Sequence, residues 1–262
     1  MSFESFQKHL AQVKANNLFK TWSGNSIDCV GNKASPIELL LLGSLRYLGR
    51  GWTLDDLEEQ TSISEETHRC FLHVYLLWGA TELFDRYVYL PANKEEAAEC
   101  AKEYGVAGFN GCIGSGDATH IGMLKCCYRL RNHHDSFKLN MPTRTYNMTV
   151  NHRRRILATT HGHPGRWSDK TLIRFDTLAN QLKKGEIYSD MEFVLLEEDA
   201  DGNVREIKYS GAWTIVDNGY LRWSVTVPPL KLWTTYPEMR FSKWLESLRK
   251  GKQFLCIATE WF

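Results

Sequence analysis

Apolar residues recur at helical spacing through the first hundred positions and at strand spacing after them. Phe3, Phe6, Leu10 and Val13 mark a weak amphipathic helix, broken by Asn16-Asn17 and Ser23-Gly24-Asn25. Ser35-Pro36 opens the next helix, a capping Ser with Pro at the first helical position, and Ile37, Leu40, Leu41, Ser44, Leu45 and Leu48 follow at its period until Gly49-Arg50-Gly51. Thr53 caps a short helix to Gln60, and Ser64 caps a longer one carrying Phe71, Val74, Tyr75 and Trp78. Three helices joined by tight turns, the third the longest, have the layout of a helix-turn-helix module. Glu65 and Glu66 in the first turn of that third helix would repel phosphate, so a plain three-helix bundle is the alternative. Asn93 caps a further polar helix over Lys94 to Tyr104.

From Gly111 the period becomes that of strands. Gly111 to Lys125 reads as one strand, with Met123 to Leu130 continuing it or opening the next element. Tyr146 to Val150 and Ile156 to Thr160 flank a basic corner, Asn151-His152-Arg153-Arg154-Arg155, as a hairpin or as successive strands. Ser168 caps a helix through Leu178. Phe193 to Leu196 and Val204 to Tyr209 form a second hairpin, and Phe241, Leu245 and Leu248 open a final helix. The expected division is an N-terminal helix and loop (1–34), a helical helix-turn-helix-like domain (35–105) and a mixed α/β domain (106–262).

Totals narrow the class. The chain has 262 residues, 43% of them hydrophobic, which is enough for one large and one small domain. Its 32 Lys and Arg against 31 Asp and Glu are nearly balanced, so nucleic acid would be held by local patches, not by overall charge. No run of eighteen apolar residues occurs, and a membrane protein is not expected. Seven Cys without a Cys-x-x-Cys pair suit reduced thiols in the cytosol or nucleus.

Two places carry candidate chemistry. Gly114-Ser115-Gly116-Asp117-Ala118-Thr119-His120-Ile121 delivers a carboxylate between small residues on a strand, and Trp213-Thr214-Ile215-Val216-Asp217-Asn218-Gly219-Tyr220 ends a short apolar run in another. On neighbouring strands the two Asp would offer Mg²⁺ or Mn²⁺ the hard oxygens it favours; otherwise they are ordinary turn formers. Arg153, Arg154 and Arg155, and Lys125, Arg129 and Arg131 with Lys138, are candidate phosphate contacts, with solvated faces as the alternative. Cys112, Cys126, Cys127, His133, His134, His161 and His163 show no zinc-finger spacing, and Trp213, Trp223 and Trp233 sit in apolar runs as core residues.

The segment from Gly114 to Ile121, the run His161-Gly162-His163-Pro164-Gly165-Arg166-Trp167-Ser168-Asp169-Lys170, then Ile215 to Tyr220, then Trp244-Leu245-Glu246-Ser247-Leu248-Arg249-Lys250, together resemble the DDE transposases of the PIF/Harbinger group and the nuclease-like proteins derived from them. The motifs agree in order over roughly residues 36 to 250. The resemblance implies a ribonuclease-H-like core that cuts DNA, and transfers strands, with two divalent metals, Mg²⁺ or Mn²⁺, in the nucleus. It also implies a possible helper DNA-binding protein. The first catalytic carboxylate would be Asp117 and the second Asp217, with Asp169 matching a further acidic position among the metal ligands.

The third carboxylate departs from the pattern. Relatives continue past the Trp-Leu-Glu-Ser-Leu-Arg-Lys stretch with Asp-Val-Glu, and that Glu falls here on Gln253, a poor metal ligand. Glu246 lies about two helical turns earlier and Glu260 in an unrelated tail. The domain is therefore expected to be incomplete at its C-terminus and its activity low or absent, and a non-catalytic DNA- or protein-binding remnant is the other reading. Gly251-Lys252 fits a codon pair holding a splice donor, which suggests a translated intron; a downstream genomic sequence without an in-frame Glu would sink that idea.

Overall fold

A computed structural model describes residues 2–22, 27, 31, 33–123, 125–136, 138–198 and 202–257, the stretch 251–257 by its backbone alone. Packing divides the chain into two units, Met1–Arg86 and Tyr87–Glu260.

The first unit is helical: α1 Phe3–Ala15, α2 Ile37–Arg50, α3 Leu54–Thr61 and α4 Glu65–Trp78, followed by a π-turn at Gly79–Leu83 and the short α5 Phe84–Tyr87. Most of the expected caps form, but Ser35 does not cap α2, whose N-cap is Pro36 without a side-chain hydrogen bond. Thr53 and Asp56 make a capping box on α3, Ser64 accepts from the Thr67 amide at the start of α4, and Gly51 ends α2 in the left-handed conformation. Leu10, Val13, Phe19, Leu40, Leu41, Phe71 and Trp78 form its core. The surface of α4 is not that of a phosphate-reading helix. Arg69 is tied to Glu66, and His68 is buried against the Thr61 hydroxyl.

The second unit is mixed α/β. Its elements are α6 Lys94–Val106, β1 Cys112–Gly122, α7 Tyr128–His134, β2 Asp135–Ser136, β3 Met141–Val150, β4 Ile156–Thr159, β5 His163–Pro164, α8 Asp169–Leu172, α9 Thr177–Lys184, β6 Glu192–Glu198, β7 Val204–Ser210, β8 Trp213–Ile215, β9 Thr226–Val227 and α10 Tyr236–Ile257. The main sheet runs β2-β3-β1-β8-β9, with β4 and β5 also paired to β3. β1, β3 and β4 pair antiparallel; β1, β8 and β9 pair parallel. β6 and β7 pair antiparallel in a separate two-stranded sheet, as expected of a hairpin, with Glu192 opposite Ser210 and Glu198 opposite Val204.

Helices cover both faces of the sheet. Successive residues of one strand point to opposite sides. Ile215 accordingly packs with Leu245 and Leu248 of α10, while Val216 packs with Ile173 and Ala179. α6 adds Ala97 and Ala101 beside Ile113, and Tyr104 beside Cys112, so it belongs with the sheet. That is why the division falls between Arg86 and Tyr87 and not near residue 105.

Two local expectations are corrected. β1, expected over Gly111 to Lys125, ends at Gly122, and of the two readings of Met123 to Leu130 the second holds, Tyr128 opening α7 after a bend at Lys125. The helix expected from Ser168 to Leu178 is two helices with a 3-10 turn at Ile173–Phe175 between them, because Asp176 caps the second by accepting from the Ala179 amide at 2.8 Å.

Candidate functional site

Strand pairing sets the two aspartates side by side. Ser115 of β1 lies opposite Ile215, the last residue of β8, in the parallel register, and two residues on from that pair come Asp117, still in β1, and Asp217, in the loop after β8. Asp117 Oδ1 accepts from the Ala118 amide at 2.9 Å, and Asp217 Oδ1 accepts from the Gly219 amide at 2.6 Å in a tight turn. Gly219 is where the third acid enters. A Cβ there would sit well inside van der Waals contact of both Asp169 Oδ2 and Asp217 Oδ1, so with a larger residue one or both carboxylates would have to move, and glycine leaves room for Asp169 against the Asp217 loop.

Burial pushes the Asp169 carboxyl above its ordinary range, and the like charges of Asp217 and Asp117 push the same way against the pull of Lys138 and Arg249. Among the described residues no hydrogen-bond donor reaches the Asp169 carboxylate.

A buried polar chain fixes this corner. Tyr220, 3% exposed, donates its hydroxyl to Asn147 Oδ1 on β3, and Asn147 Nδ2 donates to Asp176, the cap of α9. Burial holds the Tyr220 phenol far above its usual range and raises the Asp176 carboxyl. Every member has a partner, so the network locks β3, α9 and the Asp217–Tyr220 turn together.

Arg249 is the residue that sequence reasoning passed over. From α10 its Nη1 donates to Asp117 Oδ2 at 3.2 Å, with the guanidinium side chain 11% exposed and its Nε buried without a partner. The available signal was its place four residues after Leu245, on the face that α10 buries. Glu246 instead pairs with Lys250 at 3.2 Å, away from the acids. The side chain of Gln253 and all of Glu260 lie outside the described residues.

The donor set suits a hard cation: Asp169 and Asp217 crowd one point, and Asp117 sits on the adjoining strand. As placed, though, no three His, Cys, Asp or Glu side chains among the described residues come close enough to share one ion. That covers the zinc candidates as well.

His120 of the first motif is buried, and its Nδ1 lies 3.1 Å from Thr143 Oγ1 and 3.0 Å from Thr145 Oγ1. Burial, helped by the charge of Lys138, lowers its pKa to about 4, so it is neutral near pH 7.

The expected phosphate contacts separate. In the β3–β4 turn, Arg153 is bound at 2.8 Å to Glu103 and 3.2 Å to Glu99, both on α6. Arg155 stacks 4.2 Å over Tyr89 and donates to its carbonyl. Arg154 takes the left-handed turn position, φ 64°. Lys125, Arg129 and Arg131 are exposed on and before α7.

Compared with known proteins, the chain matches no family model, no curated protein and no solved structure. Among the described residues no helix is long and apolar enough to cross a membrane.

Proposed function

We propose that the second unit is a ribonuclease-H-like acid centre of the DDE transposase type with its third catalytic carboxylate missing, which hydrolyses phosphodiester bonds of DNA weakly, with strand transfer as its second reaction, in the nucleus. One observation carries this reading: Asp117 and Asp217 follow paired residues of adjacent parallel strands, and Asp169 meets Asp217 across Gly219. The sheet order supports it too, three antiparallel strands followed by two parallel ones with the acids at the junction, as a ribonuclease-H-like core requires. Asp169, Asp217 and Asp117 would hold the two Mg²⁺ or Mn²⁺ ions. Such ions polarise a phosphate oxygen and lower the pKa of bound water. The chain's own groups do the rest. The Gly219 and Ala118 amides aim the carboxylates, and neutral His120, in its hydroxyl cage, braces β1 against β3. The test is nicking of supercoiled plasmid in Mn²⁺: the wild type nicks and Asp217→Asn does not. No nicking by the wild type overturns the hydrolase reading.

A second reading has its own observation. The Arg249 guanidinium already neutralises Asp117, which suits a non-catalytic, nucleic-acid-binding descendant of a transposase. Metal-independent binding of DNA without nicking would favour it.

A further inference from the structure

Beside Asp169 the surface sinks into a cavity of about 520 Å³, within the usual size of small-ligand sites. Its wall comes from the loop Gly165–Lys170, pinned to the sheet because a Cβ at Gly165 would strike Thr143 and the His134 carbonyl. Lys138, Arg166 and Lys170 line it, and among the described residues none of the three has a carboxylate partner. Lys138 is close enough to both Asp169 and His120 to act on their protonation, so its charge faces the acids. Trp167 supplies an apolar wall. Its ring stacks on His163 with centroids 4.9 Å apart and meets Phe175 at 5.0 Å, while His163 and Phe175 are 5.5 Å from each other. Trp167 itself is half-buried and lines the cavity.

Cations without an ion-paired carboxylate, an aromatic ring and a carboxylate centre adjoin one another, and a nucleotide joins a phosphate to a flat base at that scale. We infer that this cavity is a subsite for an unpaired nucleotide of the strand held at the acid centre, its phosphate on Lys138 and Lys170 and its base on Trp167. The inference rests on the nuclease reading for its place in the reaction, while the binding it describes needs no metal. A base in a duplex stack has its faces covered, so the site selects single-stranded or locally opened DNA.

The experiment is fluorescence anisotropy with the full chain in EDTA, using a labelled short oligothymidylate, its duplex with oligoadenylate, and free dTMP as competitor. The single strand should bind about tenfold tighter than the duplex, and Trp167→Ala should remove most of that preference. Lys138→Gln with Lys170→Gln, both exposed positions, should weaken the single strand about tenfold and reduce the slope of log affinity on log salt by about 1.4. Arg153→Gln, whose guanidinium is already held by glutamates, should change neither. Equal affinity for duplex and single strand overturns the assignment, as does an unchanged salt slope in the lysine double variant. Binding of dTMP with the same residue dependence and no binding of the strand also overturns it, in favour of a free nucleotide. Cleavage is silent in EDTA, so failure of Mn²⁺-dependent nicking would remove the nuclease reading while this binding result stood.

Discussion

Two clusters of cations in the second unit look alike in composition and differ in what surrounds them. At the β3–β4 turn, three consecutive arginines form the densest basic run of the chain, yet Glu99 and Glu103 bind Arg153 and Tyr89 takes Arg155. Around the cavity by Asp169, Lys138, Arg166 and Lys170 are scattered through the sequence, and among the described residues none forms an ion pair with a carboxylate, Arg166 donating only to the Asn132 carbonyl. The first cluster fastens a turn to α6. The second is a charged surface without carboxylate partners, and it adjoins Asp169, whose pKa is raised by burial and by the like charges of Asp217 and Asp117. Phosphate affinity follows unpaired charge in space and not the density of Arg in sequence.

The largest effect that would break this contrast concerns catalysis. Asp117→Asn should lower Mn²⁺-dependent nicking about a hundredfold or more, whereas Arg153→Gln with Arg154→Gln should leave it within about twofold. The reverse order would transfer the function to the turn. A second variant turns the contrast around. Glu99→Gln with Glu103→Gln frees Arg153, and DNA affinity at low salt should then rise about threefold and fall back at high salt. An unchanged affinity in an anisotropy titration would mean that the turn lies out of reach of DNA.

The smallest effect sharpens the electrostatics of the acid centre. Asp169 has its pKa raised, so the folded state holds that proton more tightly than the unfolded chain. The stability this gives is full below the ordinary Asp range and is lost as pH rises through the raised value. Asp169→Asn in EDTA should therefore be more stable than the wild type at neutral pH, by about 1 kcal/mol or less after solvent screening. The gain should vanish as pH falls below about 4. Thermal melts across pH read it directly, and a destabilised variant at pH 7 would show that Asp169 is held by contacts that stabilise its charge.

Much of this was legible in the chain and some was not, for definable reasons. Local chemistry predicted well: the caps at Thr53, Ser64 and Asn93, the β6–β7 hairpin and the change of period after Gly111 all depend on neighbours in sequence. The position of Asp117 beside Asp217 required only that two strands be adjacent, which the pairing of β1 with β8 supplies. Asp169 entered through resemblance alone; the residue that explains it, Gly219, looked like a turn former and serves as a gap for a carboxylate. The break at Asp176 was hidden because an apolar period ran straight through it, while its capping oxygen and its bond to Asn147 answer to a strand 29 residues away. Arg249 and the paired arginines were missed for the same reason. Their partners are 132 and about 50 residues distant, and no periodicity reports a contact of that separation.

The central claim is that the carboxylates beside Gly219 bind a divalent cation, with Arg249 competing for Asp117. Mn²⁺ binding followed by electron paramagnetic resonance tests it without relying on turnover. The wild type should bind Mn²⁺ saturably and give it up to Mg²⁺, Asp217→Asn should not bind, and Arg249→Gln should bind about tenfold tighter because an opposing charge has been removed. Absence of binding in both the wild type and Arg249→Gln would contradict it, and would leave the three aspartates as a structural cluster held by an arginine.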